Sequence, residues 1–168
     1  EEPLRQRLHI HQQARPEQIY LLQKRYADLG VTAQLRPFFS DVPQLLGNSH
    51  LVICRSGASS VAELAAIGRP ALLLPLPNAM DDHQRVNALQ MEDVGGGICL
   101  DEKSVSAATL ATHLIQLLDA PKTLAQMAKS ARLLASPDAA KLIAAMAEQL
   151  VGLSTSKPTG PKPTGARA

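Results

Sequence analysis

Runs of apolar residues alternate with helix-like segments along most of this chain, and this alternation constrains the fold more than any other feature. The runs LVICR at 51–55 and ALLLPLP at 71–77 are nearly continuous, which is typical of strands covered on both faces of a sheet. Each is followed by turn-forming residues and then by apolar residues at helical spacing. Because strand and helix patterns alternate four or five times, the sequence predicts an α/β fold with a parallel sheet flanked by helices.

Local signals predict where several elements begin and end. Alternating residues around 8–10 indicate a short first strand. The next segment is predicted to be a helix with Pro16 in its first turn and Gly30 at its stop. The stretch SDVPQLLGNSH predicts a short helix capped by Ser40 or Asp41.

The second half of the chain predicts further helices. In DDHQRVNALQMEDVGG, Val86, Leu89 and Met91 are predicted to face the core. Apolar residues from Ala107 to Leu118 repeat at helical spacing, which indicates an amphipathic helix that ends before Pro121.

The last residues differ in composition from the rest. STSKPTGPKPTGARA repeats Lys-Pro-Thr-Gly and contains no acidic residue, which predicts a disordered basic tail. We therefore expect one domain at residues 1–152 and a tail at 153–168.

Composition excludes several functions. The net charge is only +2, and aromatic residues make up 2% of the chain with no Trp. Neither a phosphate-binding basic face nor a base-stacking platform is therefore expected, and no nucleic-acid partner is predicted.

Cys54 and Cys99 lie in apolar runs and are predicted to be buried free thiols. No Cys/His spacing predicts a metal site. No apolar run approaches the about 20 residues needed to span a bilayer, and the charged start EEPLRQR is unlike a signal peptide.

The stretch CRSGASSVAELAAIGRP at 54–70 carries the clearest functional signal. It follows a predicted strand at the edge of the sheet where ligands bind in open α/β folds. Gly57 and Ala58 allow a ligand to approach the backbone closely, and Ser59 or Ser60 is predicted to start a helix. The free amides at that helix end favour an anion, and a phosphate fits best.

Glu63 is harder to explain, since its negative carboxylate would repel a phosphate bound nearby. The carboxylate fits if it accepts hydrogen bonds from the two hydroxyls of a ribose, so the stretch suggests a nucleotide site. Alternatively, Ser59 or Ser60 is an ordinary N-cap and Glu63 is its capping-box partner. The residues alone leave both interpretations open.

A second polar stretch, PLPNAMDDHQRVNAL at 75–89, is predicted to reach the same crevice. Gln84 has a donor and an acceptor, which suits sugar hydroxyls. We expect Asp81 and Asp82 to complement the dipole of the helix that they begin, in preference to binding metal. His83 is expected to be a surface or supporting residue, and Asn87 points toward the same crevice.

Together, the motifs C-R-S-G-A, V-x-E-L, G-x-P and H-Q-x-x-N-A resemble the carboxyl-terminal domain of the MurG family of peptidoglycan N-acetylglucosaminyltransferases. The resemblance runs from about Leu8 to about Leu150. It implies the carboxyl-terminal half of a GT-B glycosyltransferase, a Rossmann-like domain that binds UDP-N-acetylglucosamine (UDP-GlcNAc).

The resemblance also implies roles for individual residues. Glu63 would hold the ribose diol, Gln84 would contact the GlcNAc hydroxyls, and the backbone of Phe39, a position that is often Ile in the family, would meet uracil. Arg55 and Asn87 would support the site. The full set of implied substrate-binding residues is Phe39, Arg55, Ala58, Ser59, Ser60, Val61, Ala62, Glu63, Gln84 and Asn87.

The reaction that the resemblance implies is the inverting transfer of GlcNAc from UDP-GlcNAc to lipid I, which gives lipid II, without a metal or another cofactor. The resemblance also implies that an amino-terminal domain binds the lipid acceptor and the membrane surface and carries the catalytic base. The implied location is the cytoplasmic face of the bacterial inner membrane, as a peripheral protein.

Besides Phe39, the sequence departs from the family pattern near its start. The family's domain opens with a strand and a G-G-S-x-G turn that this chain lacks, and Ala14 stands where the family often has Gly. We therefore expect a piece of a longer protein that lacks the first strand of a sheet with order 3-2-1-4-5-6, and that is poorly stable alone. The alternatives are a nucleotide-binding module or donor subunit without catalysis of its own, and another UDP-sugar enzyme of the superfamily, which the H-Q-x-x-N-A helix disfavours.

Overall fold

The structure is a computed structural model that describes residues 2–77 and 82–150. The described residues form two units, 2–134 and 135–150. The predicted tail at 153–168 and the predicted role of Asp81 lie outside the described residues. In chain order the elements are α1 (Glu2–Arg5), β1 (His9–Gln13), α2 (Pro16–Asp28), β2 (Thr32–Arg36), α3 (Val42–Asn48), β3 (Val52–Cys54), α4 (Ala58–Ile67), β4 (Ala71–Leu73), α5 (His83–Asp93), β5 (Gly97–Cys99), α6 (Ala107–Leu118), α7 (Pro121–Ala131), a 3-10 turn (Arg132–Leu134) and α8 (Ala139–Leu150).

All strand pairs are parallel, as the sequence predicts, but they form two separate sheets. One contains β1 and β2, and the other has the order β3-β4-β5. If these strands are numbered two to six, the pairs reproduce the order 3-2 and 4-5-6 of a doubly wound sheet. Within the described residues, β1 pairs only with β2 and β3 pairs only with β4.

The hydrophobic core is built around β4, whose three residues are completely buried between β3 and β5. Leu72 of β4 packs with Leu117 of α6 and with Leu124 and Met127 of α7. Burial on both faces explains why this strand is continuously apolar.

Helix α5 packs on β5 with a different face from the predicted one. Ala88 and Met91 are completely buried, whereas Val86 is 51% exposed and Leu89 is 36% exposed. The prediction for Met91 is confirmed, and those for Val86 and Leu89 are wrong. The sequence offers two apolar stripes at i, i+3 spacing, Val86 with Leu89 and Ala88 with Met91. The second is the buried one, and its Met91 packs on Gly96 and Gly97 at the start of β5.

The β1–β2 half of the first unit is thinly packed. Between residues 4 and 50, only Ala14 and Phe39 are buried, and neither α2 nor α3 contributes a buried residue. Large apolar side chains such as Tyr20 and Leu21 are exposed. The hydrophobic contribution to stability is therefore concentrated in the β3–β5 half.

Several predicted boundaries are confirmed. Pro16 begins α2, and Gly30 and Gly68 follow helices with positive φ angles of 66° and 72°, which glycine adopts easily. Asp41 occupies the N-cap position of α3, but its side chain makes no capping hydrogen bond. No helix in the described ranges is long and apolar enough to cross a bilayer.

The two cysteines are free, as predicted, although both are only partly buried. Burial raises the pKa of the Cys54 thiol to about 11, so that thiol is protonated at neutral pH.

Two glycines give a matched test of the core. A Cβ at Gly96 would lie 2.7 Å from Ala131 Cα and 2.7 Å from Met91 Sδ, whereas a Cβ at Gly47, in helix α3, would meet nothing within 4 Å. We expect Gly96→Ala to lower the free energy of unfolding by about 1–3 kcal/mol through overpacking. Gly47→Ala should raise it by about 0.4–1 kcal/mol. Urea titrations followed by NMR at β4 amides measure both, and equal midpoints for the two variants would contradict the packing described here.

The uneven burial predicts low and uneven stability for the 168-residue chain. We expect β1 and β2 amide hydrogens to exchange well before those of β4, because few buried contacts resist local opening of the first sheet. Hydrogen exchange measured by NMR separates the two sets. A single cooperative unfolding transition with a high midpoint and uniform protection would show that the prediction is wrong.

Candidate functional site

The candidate site lies at the carboxyl ends of β3, β4 and β5. β3 leads into Ser56 and Gly57, β4 leads into Leu74 and the residues up to 77, and β5 leads into a loop at 101–105. Because the strands are parallel, these three exits meet at one edge of the sheet.

Helix α4 begins one residue earlier than predicted and has no side-chain cap. Gly57 is the N-cap, Ala58 is the first helical residue, and the first helical hydrogen bond joins the Val61 N–H to the Gly57 carbonyl at 3.0 Å. The amides of the first turn therefore lack acceptors within the helix. Ser59 and Ser60 lie inside that turn and do not start the helix, which corrects the prediction.

The capping-box interpretation of Glu63 is also wrong. A capping box needs the acid three residues after the N-cap, whereas Glu63 lies six residues after Gly57. Glu63 is exposed, and no hydrogen bond or ion pair holds its carboxylate within the part of the chain that the structure describes. Val61 is buried against the core, whereas Ala58, Ser59 and Ala62 are exposed and Ser60 is partly buried.

Ser56, which sequence reasoning missed, joins the turn to helix α5. It is completely buried, its Oγ donates to the Gln84 carbonyl at 2.8 Å, and its own carbonyl accepts from Asn87 Nδ2 at 3.0 Å. Two hydrogen bonds thus fix the start of α5 relative to the end of β3. Asn87 thus acts as a structural tether between α5 and the end of β3, and its role at a substrate site stays a prediction.

The Gln84 side chain is oriented by the chain that leaves β4. The Leu76 N–H donates to Gln84 Oε1 at 2.9 Å. With the carbonyl oxygen engaged, the Nε2 group is left to donate, so the side chain offers a donor where the sequence suggested both a donor and an acceptor.

Arg55 connects all three strand exits. Its Nη1 donates to the Leu74 and Pro75 carbonyls at 3.1 and 3.3 Å, and its guanidinium forms a two-pronged ion pair with Glu102 at 2.7 and 2.8 Å. The Glu102 hydrogen bond raises the pKa of Arg55, and Arg55 lowers the pKa of Glu102. Glu102 lies 47 residues from Arg55 in sequence, so no local pattern could identify this pair.

Phe39 lies apart from this group, at the exit of β2 in the other sheet. Its ring is buried, meets the His11 ring edge to face at 6.4 Å between centroids, and lies 5.7 Å from the Arg36 guanidinium carbon. The side chain is therefore held by protein contacts, which is compatible with a role for the backbone alone.

A cavity of about 400 Å³ opens between the chain that leaves β4, the start of α5 and the loop after β5. Pro75 and Leu76 line one side, Arg85 of α5 and its N-cap residue Asp82 another, and Lys103 a third. No group of three or more His, Cys, Asp or Glu side chains in the described ranges could hold a metal ion.

Comparison with known proteins identifies the family. The family model described as glycosyltransferase family 28 C-terminal domain matches residues 1–143. The chain belongs to this family. Its relatives include two bacterial proteins named UDP-N-acetylglucosamine–N-acetylmuramyl-(pentapeptide) pyrophosphoryl-undecaprenol N-acetylglucosamine transferase. The one from Rhodospirillum rubrum is 48% identical over 140 residues, and the one from Paramagnetospirillum magneticum is 46% identical over 152 residues.

The family 28 match also fixes which part of the relatives corresponds to this chain. The matches cover 83% and 90% of the chain but only 36% and 40% of the relatives. A crystal structure of Acinetobacter baumannii MurG superposes with a TM-score of 0.77 at 33% identity, over 84% of this chain and 41% of that one. The predicted resemblance to MurG and the predicted fold, the carboxyl-terminal half of a GT-B glycosyltransferase, are confirmed.

We expect Ser56→Ala to loosen the start of α5 without unfolding the core, because it removes the Oγ donor that the half-buried Gln84 carbonyl uses. The Leu76 N–H, which bonds to Gln84 Oε1, should exchange about tenfold faster in an NMR experiment. Ser104→Ala is the control, since it removes a hydrogen bond confined to one exposed loop. An unchanged Leu76 exchange rate in Ser56→Ala would contradict the assigned role.

Proposed function

We propose that this chain supplies the UDP-GlcNAc site of a glycosyltransferase that moves GlcNAc to lipid I, giving lipid II, with inversion at the anomeric carbon. The observation that carries the proposal is an uncapped helix end followed, one turn later, by an unpaired carboxylate. Gly57 and Glu63 provide these two features on one helix of a family 28 domain. The names of the longer relatives describe an N-acetylglucosamine transferase that acts with UDP-N-acetylglucosamine and an N-acetylmuramyl-(pentapeptide) pyrophosphoryl-undecaprenol.

The α4 end would receive the diphosphate of the donor. The unpaired amides of Ala58, Ser59 and Ser60 carry partial positive charge, and a phosphate oxygen is a strong acceptor for them. A Cβ added to Gly57 would lie no closer than 4.0 Å to another protein atom, and its φ of −59° suits any residue. Nothing within the protein therefore requires glycine here, which supports close approach by a ligand.

Glu63, one turn along, would accept hydrogen bonds from both ribose hydroxyls. Gln84 would donate through Nε2 to GlcNAc hydroxyl oxygens, and the backbone at Phe39 would meet uracil. Val61 and Ala62 would complete the segment against the nucleotide, with Arg55 and Asn87 as supports. Charge that develops on the departing UDP would be stabilised by the same helix amides, so neither a metal nor another cofactor is proposed.

A second domain would bind the acceptor, lipid I, and would contain the residue that acts as the base. The chain matches 36–40% of its transferase relatives, which leaves room in those proteins for such a domain. The proposed location is the cytoplasmic face of the bacterial inner membrane, where the membrane surface would be reached through that domain. No nucleic-acid partner is proposed.

Ligand-observed NMR on the 168-residue chain tests the donor site directly. We expect UDP and UDP-GlcNAc to bind in preference to ADP and GDP. Glu63→Ala should weaken UDP binding about tenfold or more, because it removes a charged acceptor for two hydroxyls. Glu17→Ala, which changes an exposed acid at the start of α2, is the matched control. Equal binding of all four nucleotides would contradict the uridine site.

Gln84→Ala separates the sugar from the nucleotide. We expect it to weaken UDP-GlcNAc about tenfold and to leave UDP nearly unchanged, because the proposed contact is to GlcNAc alone. Isothermal titration with both ligands measures the difference. An equal loss for UDP and UDP-GlcNAc would mean that Gln84 acts only by supporting the chain at Leu76.

A further inference from the structure

A single peptide group connects Arg55 to Gln84. Arg55 Nη1 donates to the Pro75 carbonyl at 3.3 Å, and the Leu76 N–H donates to Gln84 Oε1 at 2.9 Å. This carbonyl and this N–H belong to the same peptide group, which is planar and rigid. A rotation of the group would therefore weaken both hydrogen bonds at once, so the orientations of the two side chains are coupled.

The prolines on either side leave this peptide group one main freedom. Pro75 fixes its own φ, and Pro77 restricts the ψ of Leu76 to extended values. The angles that remain are the ψ of Pro75 and the φ of Leu76, and these two rotate the peptide group between them. The Arg55 bond to the Pro75 carbonyl opposes that rotation. It therefore helps to fix the direction of the Leu76 N–H on which Gln84 depends.

Glu102 holds the Arg55 guanidinium in the orientation that makes this contact. Its two carboxylate oxygens accept from Nη1 at 2.7 Å and from Nη2 at 2.8 Å. Nη1 has two hydrogens, so the carboxylate takes one, and the Leu74 and Pro75 carbonyls share the other. The Arg55 side chain is 45% exposed. Without Glu102, it would gain other orientations in the solvent and lose part of its contact with the two carbonyls.

We propose that Glu102 is a positioning residue for the donor sugar. It acts through Arg55 and the Pro75–Leu76 peptide group on Gln84, whose Oε1 is held by the Leu76 N–H while Nε2 is left to donate. The inference rests on the proposed function, because the contact of Gln84 with GlcNAc belongs to it. It gives the loop after β5 a part in the choice between UDP-GlcNAc and UDP.

The loop that carries Glu102 is held by other contacts. The Asp101 carbonyl accepts from the Val105 N–H at 2.8 Å, and Asp101 Oδ1 accepts from the Lys103 N–H at 2.9 Å. An exposed ion pair also adds little to the stability of a protein. Loss of the Glu102 charge should therefore leave the urea midpoint of the chain unchanged, which separates a positioning role from a structural one.

Glu102→Gln tests the effect on ligand choice, since it removes the charge and keeps the size of the side chain. Isothermal titration should show UDP-GlcNAc binding weakened about threefold to tenfold and UDP binding nearly unchanged. Glu17→Gln, which removes the charge of an exposed acid at the start of α2, should change neither. An equal loss for the two ligands, or no loss for either, would overturn the proposal.

A double-mutant cycle tests whether Glu102 acts through Gln84. In the Gln84→Ala background, Glu102→Gln should have no further effect on UDP-GlcNAc binding, because the donor that it positions is gone. If the two losses add in full, Glu102 acts by another route and the proposal is wrong.

NMR of the unliganded chain tests the positioning itself. In Glu102→Gln, the Leu76 N–H should exchange about threefold to tenfold faster, and the Gln84 Nε2 proton resonances should shift. Ser104→Ala, which removes a hydrogen bond within the same loop, should change neither.

The two kinds of measurement fail separately. Unchanged Leu76 and Gln84 signals in Glu102→Gln, with β4 amides still protected, would overturn the positioning role whatever the ligands do. A wild-type chain that shows the NMR coupling but binds neither UDP nor UDP-GlcNAc would instead overturn the proposed function, and the role in sugar binding with it.

Discussion

The complete burial of β4 is the constraint on which the rest of the first unit depends. Its three residues have no exposed surface, and parallel pairing with β3 and β5 fixes where both neighbours end. A strand covered on both faces must be apolar throughout, so ALL at 71–73 can carry no functional side chain. Polar side chains that could contact a ligand therefore lie beyond the ends of the strands. Ser56, Gln84 and Arg55 are in this region.

The exits are held to one another by polar contacts of two kinds. Ser56 uses buried hydrogen bonds to backbone and amide groups, which are costly to leave unpaired and therefore specify one arrangement. Arg55 and Glu102 use an exposed ion pair, whose net contribution to stability is small because water screens it. The buried contacts thus define the position of α5, and the ion pair favours one orientation of the loop after β5.

The sequence predicts the class of fold and most boundaries because those depend on local patterns. Pro16 and Gly30 act through their own backbone preferences, and the structure places them as predicted. The inward face of α5 was predicted only in part because two apolar stripes compete there, and close packing of Met91 on Gly96 and Gly97 favours the stripe of Ala88 and Met91. That choice depends on tertiary shape, which spacing does not contain.

Only some residues of the candidate site could be identified from the sequence. Glu63 and Gln84 are visible in the sequence because a lone acid after small residues and an amide after a strand exit are unusual. Ser56 and Glu102 are not visible, since their roles depend on partners 28 and 47 residues away. The N-cap at Gly57 was also missed, because serine is the commoner cap and the sequence offers two of them.

The division of the sheet has a consequence for the proposed donor site. Glu63 and Gln84 lie on helices α4 and α5, which follow strands β3 and β4, whereas Phe39 follows β2 in the other sheet. A nucleotide that touches all three must bridge the two sheets, so its affinity depends on how firmly they are joined. Phosphate and sugar contacts require only the well-packed sheet, whereas base recognition requires both. Selectivity for uracil should therefore depend more strongly than affinity for the diphosphate on how firmly the two sheets are joined.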